Sequence, residues 1–298
     1  MKPPEITVVI PAYNAGKYLA DSIMSVNNQL FTDWELIIVD DGSTDNTANI
    51  AQKFLVDNKI MLIKQVNKGV SAARNAGIRA AKGRFITFLD MDDCYLPDNL
   101  LKKYNALNNN EKIDFVYCDI MQCDEKMNEV RVERGVDSEN LFNKVMQWQK
   151  ETIPTLPSNI MVKTALMKEK FLWDENLSNC ADRYMKIMLS QHNVGSYIPE
   201  ALVKYRNSPN SMSKKVWLLE HDELYIADKI VNESILPPGK LRRKVIANMY
   251  SIVSGSWYRD AHKPLRALKF GLKAAFIYPP AIFMLMGKLT GLINNKIT

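Results

Sequence analysis

Cysteine is scarce in this chain and badly spaced for chemistry. The four, Cys94, Cys118, Cys123 and Cys180, stand in no CxxC pair. That excludes a disulfide framework and a zinc site, and leaves reduced thiols in a cytoplasmic protein as the expectation. No apolar run reaches transmembrane length without a charge or a proline pair to interrupt it. Met1-Lys2-Pro3-Pro4-Glu5 carries no apolar signal-peptide core, again the pattern of a cytoplasmic chain. Nothing in the pattern matches a nucleic-acid-binding fold.

Positive charge is nearly absent as an excess from most of the chain. The net charge is +6 over 298 residues, but from Lys214 onward 14 Lys/Arg face 6 Asp/Glu, a local +8. The remaining 213 residues carry 25 and 27, a net of −2. The basic excess therefore concerns the tail and its partner, not the whole surface. With 47% apolar and 24% charged residues, the chain is an ordinary globular one, long enough for one large domain or two small ones.

What is present is an alternation of short apolar runs with helical patterns. Ile6 to Ile10, Glu35 to Val39, Ile60 to Ile63 and Phe85 to Leu89 read as strands. Lys17 to Asn28, Asn46 to Leu55 and Val70 to Ala81 read as helices. Ser43 or Thr44 is expected to cap the second helix, with Gly42 permitting the turn before it. Such alternation predicts right-handed βαβ units and a mostly parallel sheet flanked by helices. Ligands of such sheets sit beyond the carboxyl ends of the strands. Those ends carry Pro11-Ala12-Tyr13-Asn14, Asp40-Asp41 and Asp90-Met91-Asp92-Asp93, so five carboxylates converge on one rim. Self-repulsion of such a cluster favours a bound cation, and oxygen ligands suit Mg²⁺ or Mn²⁺. The plainer alternative is that Asp92 or Asp93 caps the helix beginning near Pro97.

Four segments, in order and spacing, resemble the family 2 glycosyltransferases of GT-A fold. They are Val9-Ile10-Pro11-Ala12-Tyr13-Asn14, Val39-Asp40-Asp41-Gly42-Ser43-Thr44-Asp45, Asn67-Lys68-Gly69-Val70-Ser71-Ala72-Ala73-Arg74-Asn75-Ala76-Gly77 and Phe88-Leu89-Asp90-Met91-Asp92-Asp93. The resemblance implies an inverting, metal-dependent glycosyltransferase of hexosyltransferase type, of the bacterial polysaccharide kind. It implies a nucleotide-sugar donor, most simply a UDP-sugar, and a saccharide acceptor that is free or lipid-linked. Pro11, Ala12, Tyr13 and Asn14 would lie against the nucleotide, with Tyr13 either stacked on it or merely packed. Asp41 would accept the pyrimidine N–H and Asp40 would orient its loop. Gly69 and Arg74 would lie near the nucleotide and diphosphate, the alternative for Arg74 being an ion pair with one of the acids. Asp90 and Asp92 form the DxD pair, with Asp92 the direct ligand of Mn²⁺ or Mg²⁺ and Asp90 on ribose, water or metal. Met91 goes with them as a donor-site residue, and Asp93 as an outer-shell one.

Further along, a helix from Pro97 to Leu107, a strand at Asp114 to Asp119, a variable excursion over 122–140 and a strand from Thr155 to Val162 are expected. Asp182 matches the family's general base, although Ala181 stands where relatives carry Glu; an N-terminal helix carboxylate is its plain alternative. His192 is placed in a turn. Ser196 to Arg206 resembles a closing strand pair, and Asn207 to Ser213 a segment that folds over nucleotide. Arg206 would aid the diphosphate or be solvated. The expected division is a GT-A domain at 1–213, with a donor half to about 110 and an acceptor half from about 111, then a basic helical region at 214–298. That tail suits an anionic membrane interface through 240–298, or packing on the catalytic domain or on a second subunit in a homodimer. Two rivals stand beside this. One is a nucleotide-sugar-binding or interaction module without turnover. The other is a nucleotidyltransferase, disfavoured because Pro11-Ala12-Tyr13-Asn14 replaces a glycine-rich phosphate loop.

Overall fold

The computed structural model describes residues 2–55, 58–137, 139–147, 152–207 and 215–282. The chain divides into two units, residues 1–175 with 181–209, and residues 176–180 with 210–298.

The first unit is built on one sheet. Strands β1 (Ile6–Ala12), β2 (Trp34–Asp40), β3 (Ile60–Lys64) and β4 (Phe85–Phe88) alternate with helices α1 (Leu19–Asn27), α2 (Thr47–Lys53) and α3 (Val70–Ala80). These four strands run parallel in the order β3-β2-β1-β4. Ile6, Val8, Val9 and Ile10 are wholly buried, as are Leu36 to Val39. Such runs lack alternation because helices cover both faces. Helix α1 buries Leu19, Ser22, Ile23 and Val26, one stripe at helical spacing. Helix α3 approaches β1 so closely that a Cβ on Gly77 would lie 2.3 Å from Val9 Cγ1.

Beyond β4 the sheet becomes mixed. After β5 (Cys94–Tyr95) and α4 (Asn99–Asn108) come β6 (Phe115–Cys123), β7 (Glu129–Glu133) and α5 (Leu141–Met146). They are followed by β8 (Ile160–Lys163), α6 (Thr164–Glu169), α7 (Ala181–His192) and β9 (Gly195–Arg206). The order continues β4-β8-β6-β9-β5, with β8 antiparallel to β4 and β6, β9 parallel to β6, and β7 paired to β6. The sheet is thus parallel through its first half only.

Several expectations are corrected here. Asp92 and Asp93 do not cap α4, which starts at Asn99 after Asp98. Ser43 and Thr44 do not cap α2; they bond Asn14, and Asp45 accepts the Thr47 N–H. The expected excursion over 122–140 begins as the end of β6 and a hairpin return through β7; polar residues alternate there because the hairpin lies at the surface. The strand expected from Thr155 shortens to Ile160–Lys163. Gly195–Arg206 is a single strand whose pairing with β6 shifts register twice, where a strand pair was expected. His192 ends α7 and is not in a turn. Of the expected closing segment, 208–213 lie outside the described residues.

The second unit contains α8 (Val216–Asn232), α9 (Lys240–Arg259) and α10 (Pro264–Ile277). Asp222, wholly buried, accepts the Ser178 and Cys180 N–H groups. Ser254 Oγ donates to Ala267 O at 2.7 Å, and Tyr250 stacks on Phe270, locking α10 against α9.

Candidate functional site

The rim at the carboxyl ends of β1, β2 and β4 gathers most of the expected residues. Ala12 pairs with Asp40 across β1 and β2. Pro11 and Ala12 are buried strand residues, not loop. Pro11 is tolerated because pairing with β4 stops at Val9. Tyr13 stands 44% exposed beyond them. Asn14 has φ 49°, a left-handed conformation that asparagine accepts. It binds Ser43 and Thr44, tying the two strand-end loops together.

Asp40 accepts the Ser43 N–H at 3.0 Å, orienting the loop after β2. Asp41 is 3% exposed and holds the entry to α3: its oxygens accept Gln65 Nε2, Lys68 N and Gly69 N at 2.7–2.9 Å. Gly69 has φ 92°, which a residue with a side chain adopts only under strain. This shape turns its N–H onto Asp41. The rigid loop leaves Asp41 with residual acceptor capacity on Oδ2 for one further donor.

Arg74, one turn into α3 and 4% exposed, is the centre of the site. Its Nη2 donates to Asp90 at 3.0 Å and its Nη1 to Asp182 at 3.1 Å. Its guanidinium lies 4.3 Å from the Trp173 ring centroid. Asn75, next in the helix, holds Trp173 by two backbone hydrogen bonds and also donates to Glu175. One arginine thus joins an acid from the end of β4 to an acid from the first turn of α7. The ion-pair reading of Arg74 describes what the geometry contains, with two partners in place of one.

Asp182 keeps a third of its side-chain surface open. Even so, the surrounding protein raises its pKa to about 6, against the lowering pull of Arg74, while Asp90 adds to the rise and Lys186 offsets part of it. Lys186 lies one turn on in α7, donates to Ile153 O at 2.8 Å, and is itself lowered by burial to about 8.

Asp92 is raised to about 6, first by burial and then by Asp90. Among the described residues its carboxylate has no ion-pair partner, whereas Asp90 has Arg74. An underneutralised oxygen pair of this kind fits a hard divalent cation. No group of three or more His, Cys, Asp or Glu gathers as a ready-made metal cage among the described residues. Carboxylates completed by phosphate oxygens are the usual arrangement for Mg²⁺.

Asp93 points inward. It accepts Ser158 Oγ at 2.6 Å and the Arg206 N–H at 3.1 Å, and burial pushes its carboxyl well above the ordinary range. Ser158 in turn accepts the Asp90 N–H. Buried Lys103, lowered to about 8, donates to Ser158 O.

Two expected site residues make extensive contacts within the protein. Met91 packs against the apolar core. Arg206 is 5% exposed and committed: it donates to Asp92 O, Glu125 O and Asp21, and stacks on Tyr18 at 4.3 Å. It is therefore not solvated: three of its side-chain nitrogens are engaged, and Nε braces the Asp92 loop. Trp173, Ser158 and Lys186 were given no individual role on sequence. Only Lys186 had a local signal, its i, i+4 spacing from Asp182 on a helix.

Comparison with known proteins agrees with this architecture. The model of Glycosyl transferase family 2 matches residues 7–170. An uncharacterized glycosyltransferase of Rickettsia bellii is 30% identical over 203 residues, 68% of this chain and 29% of that protein. Chondroitin synthase of Escherichia coli is 28% identical over 267 residues, 85% of this chain and 36% of that one. The chain thus spans about a third of the length of these relatives. S. aureus TarS in complex with UDP-GlcNAc superposes with a TM-score of 0.63 at 17% identity, covering 91% of this chain and 89% of that one. The mannosyltransferase PcManGT of Pyrobaculum calidifontis, in complex with GDP-Man and Mn²⁺, gives 0.58 at 15% identity, covering 98% and 81%. The structural likenesses establish the GT-A fold. With a family match over more than half its residues, the chain belongs to glycosyl transferase family 2.

Proposed function

We propose that the protein transfers a sugar from a nucleotide-sugar, a UDP-sugar in the first instance, to a hydroxyl of an acceptor saccharide, free or lipid-linked, in cell-surface polysaccharide biosynthesis. The observation that carries this is the Arg74 bridge, which holds a donor-side acid, Asp90, and a second acid, Asp182, on one guanidinium. Asp182 takes the acceptor proton as the hydroxyl oxygen attacks the anomeric carbon. The bond from that carbon to the diphosphate oxygen breaks in the same displacement, so the configuration inverts. Asp41 has the acceptor capacity for a pyrimidine N–H, and Tyr13 is exposed beside it. Mn²⁺ or Mg²⁺ held by Asp92 and Asp90 would supply neutralisation of the leaving diphosphate. In this reading residues to about 110 serve the donor and those from about 111 to 213 the acceptor. UDP-GlcNAc in TarS and GDP-Man with Mn²⁺ in PcManGT support the donor class.

Thermal unfolding with UDP, GDP, CMP and dTDP, each with and without Mn²⁺, tests the donor site. A ligand at a hundred times its Kd stabilises by about 2.7 kcal/mol. A UDP shift that needs Mn²⁺ is expected, and Asp92→Asn should abolish the Mn²⁺ requirement together with the shift. Asp182→Asn should keep the UDP shift and lose roughly 10²–10⁴-fold in transfer rate. Full transfer in both variants would overturn the proposal. Nucleotide binding without turnover, across donors and acceptors, would select the binding-module reading.

A further inference from the structure

Helix α10 has two apolar faces, of which one is used. Ala267, Phe270, Gly271 and Ala274 are buried within the second unit. On the opposite side Leu265, Leu268, Leu272 and Phe276 are 83%, 57%, 62% and 90% exposed. Their spacing of three, four and four residues puts them on one stripe of the helix. Lys269 and Lys273 are also exposed and run along its edge. Scattered exposed leucines need no explanation, but a continuous stripe ending in a phenylalanine with nine-tenths of its surface in water does.

The charge around the stripe limits what covers it. Between Lys240 and Lys273 stand nine Lys/Arg and a single acid, Asp260; of the nine, Arg266 is paired with Glu220 of α8. A second copy would bring the same lysine edge and the same positive field against this one, and like charges at short range repel. An anionic lipid surface offers both what the stripe needs, an apolar layer, and what the lysines need, negative headgroups. Helix α10 is 14 residues long with one buried and one exposed apolar face, the geometry of a helix lying in the interface.

We propose that the exposed stripe of α10, Leu265, Leu268, Leu272 and Phe276 with Lys269 and Lys273, is a docking surface for an anionic bilayer. This narrows the membrane contact expected of 240–298 to one face of one helix. It stands independently of the glycosyl-transfer reading and can fail without it. The full chain is to be floated with vesicles of phosphatidylcholine alone and of equimolar phosphatidylcholine and phosphatidylglycerol. Binding to the second only, weakened by salt, is the expected result. Leu272→Glu with Phe276→Glu should weaken it at least about tenfold, since each buried large apolar side chain is worth more than a factor of ten. Lys269→Gln with Lys273→Gln should weaken it by roughly the same factor. Both pairs are exposed, and unchanged circular dichroism and thermal midpoint would show that they fold. No flotation of the full chain, or equal flotation of the Leu272/Phe276 variant, would overturn the proposal. So would a lipid-free dimer in sedimentation velocity that the same variant dissociates.

Discussion

In the proposed mechanism Asp182 and Arg74 set the pH behaviour of the site. A base must be unprotonated to act, and Asp182 is held near 6 by burial and Asp90 against the pull of Arg74. The free-enzyme profile, kcat/KM against pH, should fall below about pH 6. Arg74 lowers that pKa, because its charge favours the carboxylate. Arg74→Gln should therefore move the acid limb upward, besides reducing the rate, while Arg74→Lys should restore part of the position. An unmoved limb in Arg74→Gln would mean that another group titrates there. Trp173, stacked on Arg74 and pinned by Asn75, keeps the guanidinium in place to serve both acids.

At the scale of elements, the contact between α3 and β1 decides whether Arg74 reaches the rim at all. Gly77 faces Val9, and the 2.3 Å to Val9 Cγ1 leaves no room for a methyl group. Gly77→Ala should cost about 1–3 kcal/mol by overpacking, read as a lower denaturation midpoint with unchanged slope. The shift should carry a loss of nucleotide binding larger than the stability loss, because the helix start at Gly69 moves with the helix. Equal stability of parent and variant would show that α3 sits farther from β1. The loops were less legible than the helices and strands. The βαβ half follows from local apolar runs with turn residues between them. The return strand β7 was hidden because its two exposed valines, Val130 and Val132, alternate with charged residues over only five positions.

For the whole molecule, Asp92 and Asp93 carry a cost of charge burial. Both folded pKa values lie above the ordinary carboxylate value of 3.8, Asp92 at about 6. Groups shifted this way contribute stability that is full below pH 3.8 and is lost as pH rises through about 6. Asp45, lowered through its Thr47 and Gly16 hydrogen bonds despite its burial, acts in the opposite sense: its contribution is lost as pH falls below its depressed value. Without divalent cation, stability should therefore decline from pH 4 to pH 6–7. Mn²⁺ with UDP should offset that decline, and EDTA should restore it. Melting curves across this range, with and without Mn²⁺, would check the sign, and a rise over the same interval would contradict it.

The amino-acid sequence by itself determined the strand-and-helix alternation, the acids at the strand ends and the basic tail. All are local properties, readable as periodicity, turn residues and charge within a few dozen positions. Their order was enough to suggest the family. Only the tertiary structure decided that one of those acids, Asp90, shares the Arg74 guanidinium with Asp182. Arg74 and Asp182 are 108 residues apart, and no local pattern shows that α3 and the first turn of α7 meet across the end of β4. Packing also fixed where Arg206 sits, since its three side-chain acceptors come from three separate segments. It left the Leu265–Phe276 stripe exposed among the described residues of its unit, which the same apolar spacing, read as sequence, cannot distinguish from a buried helix face.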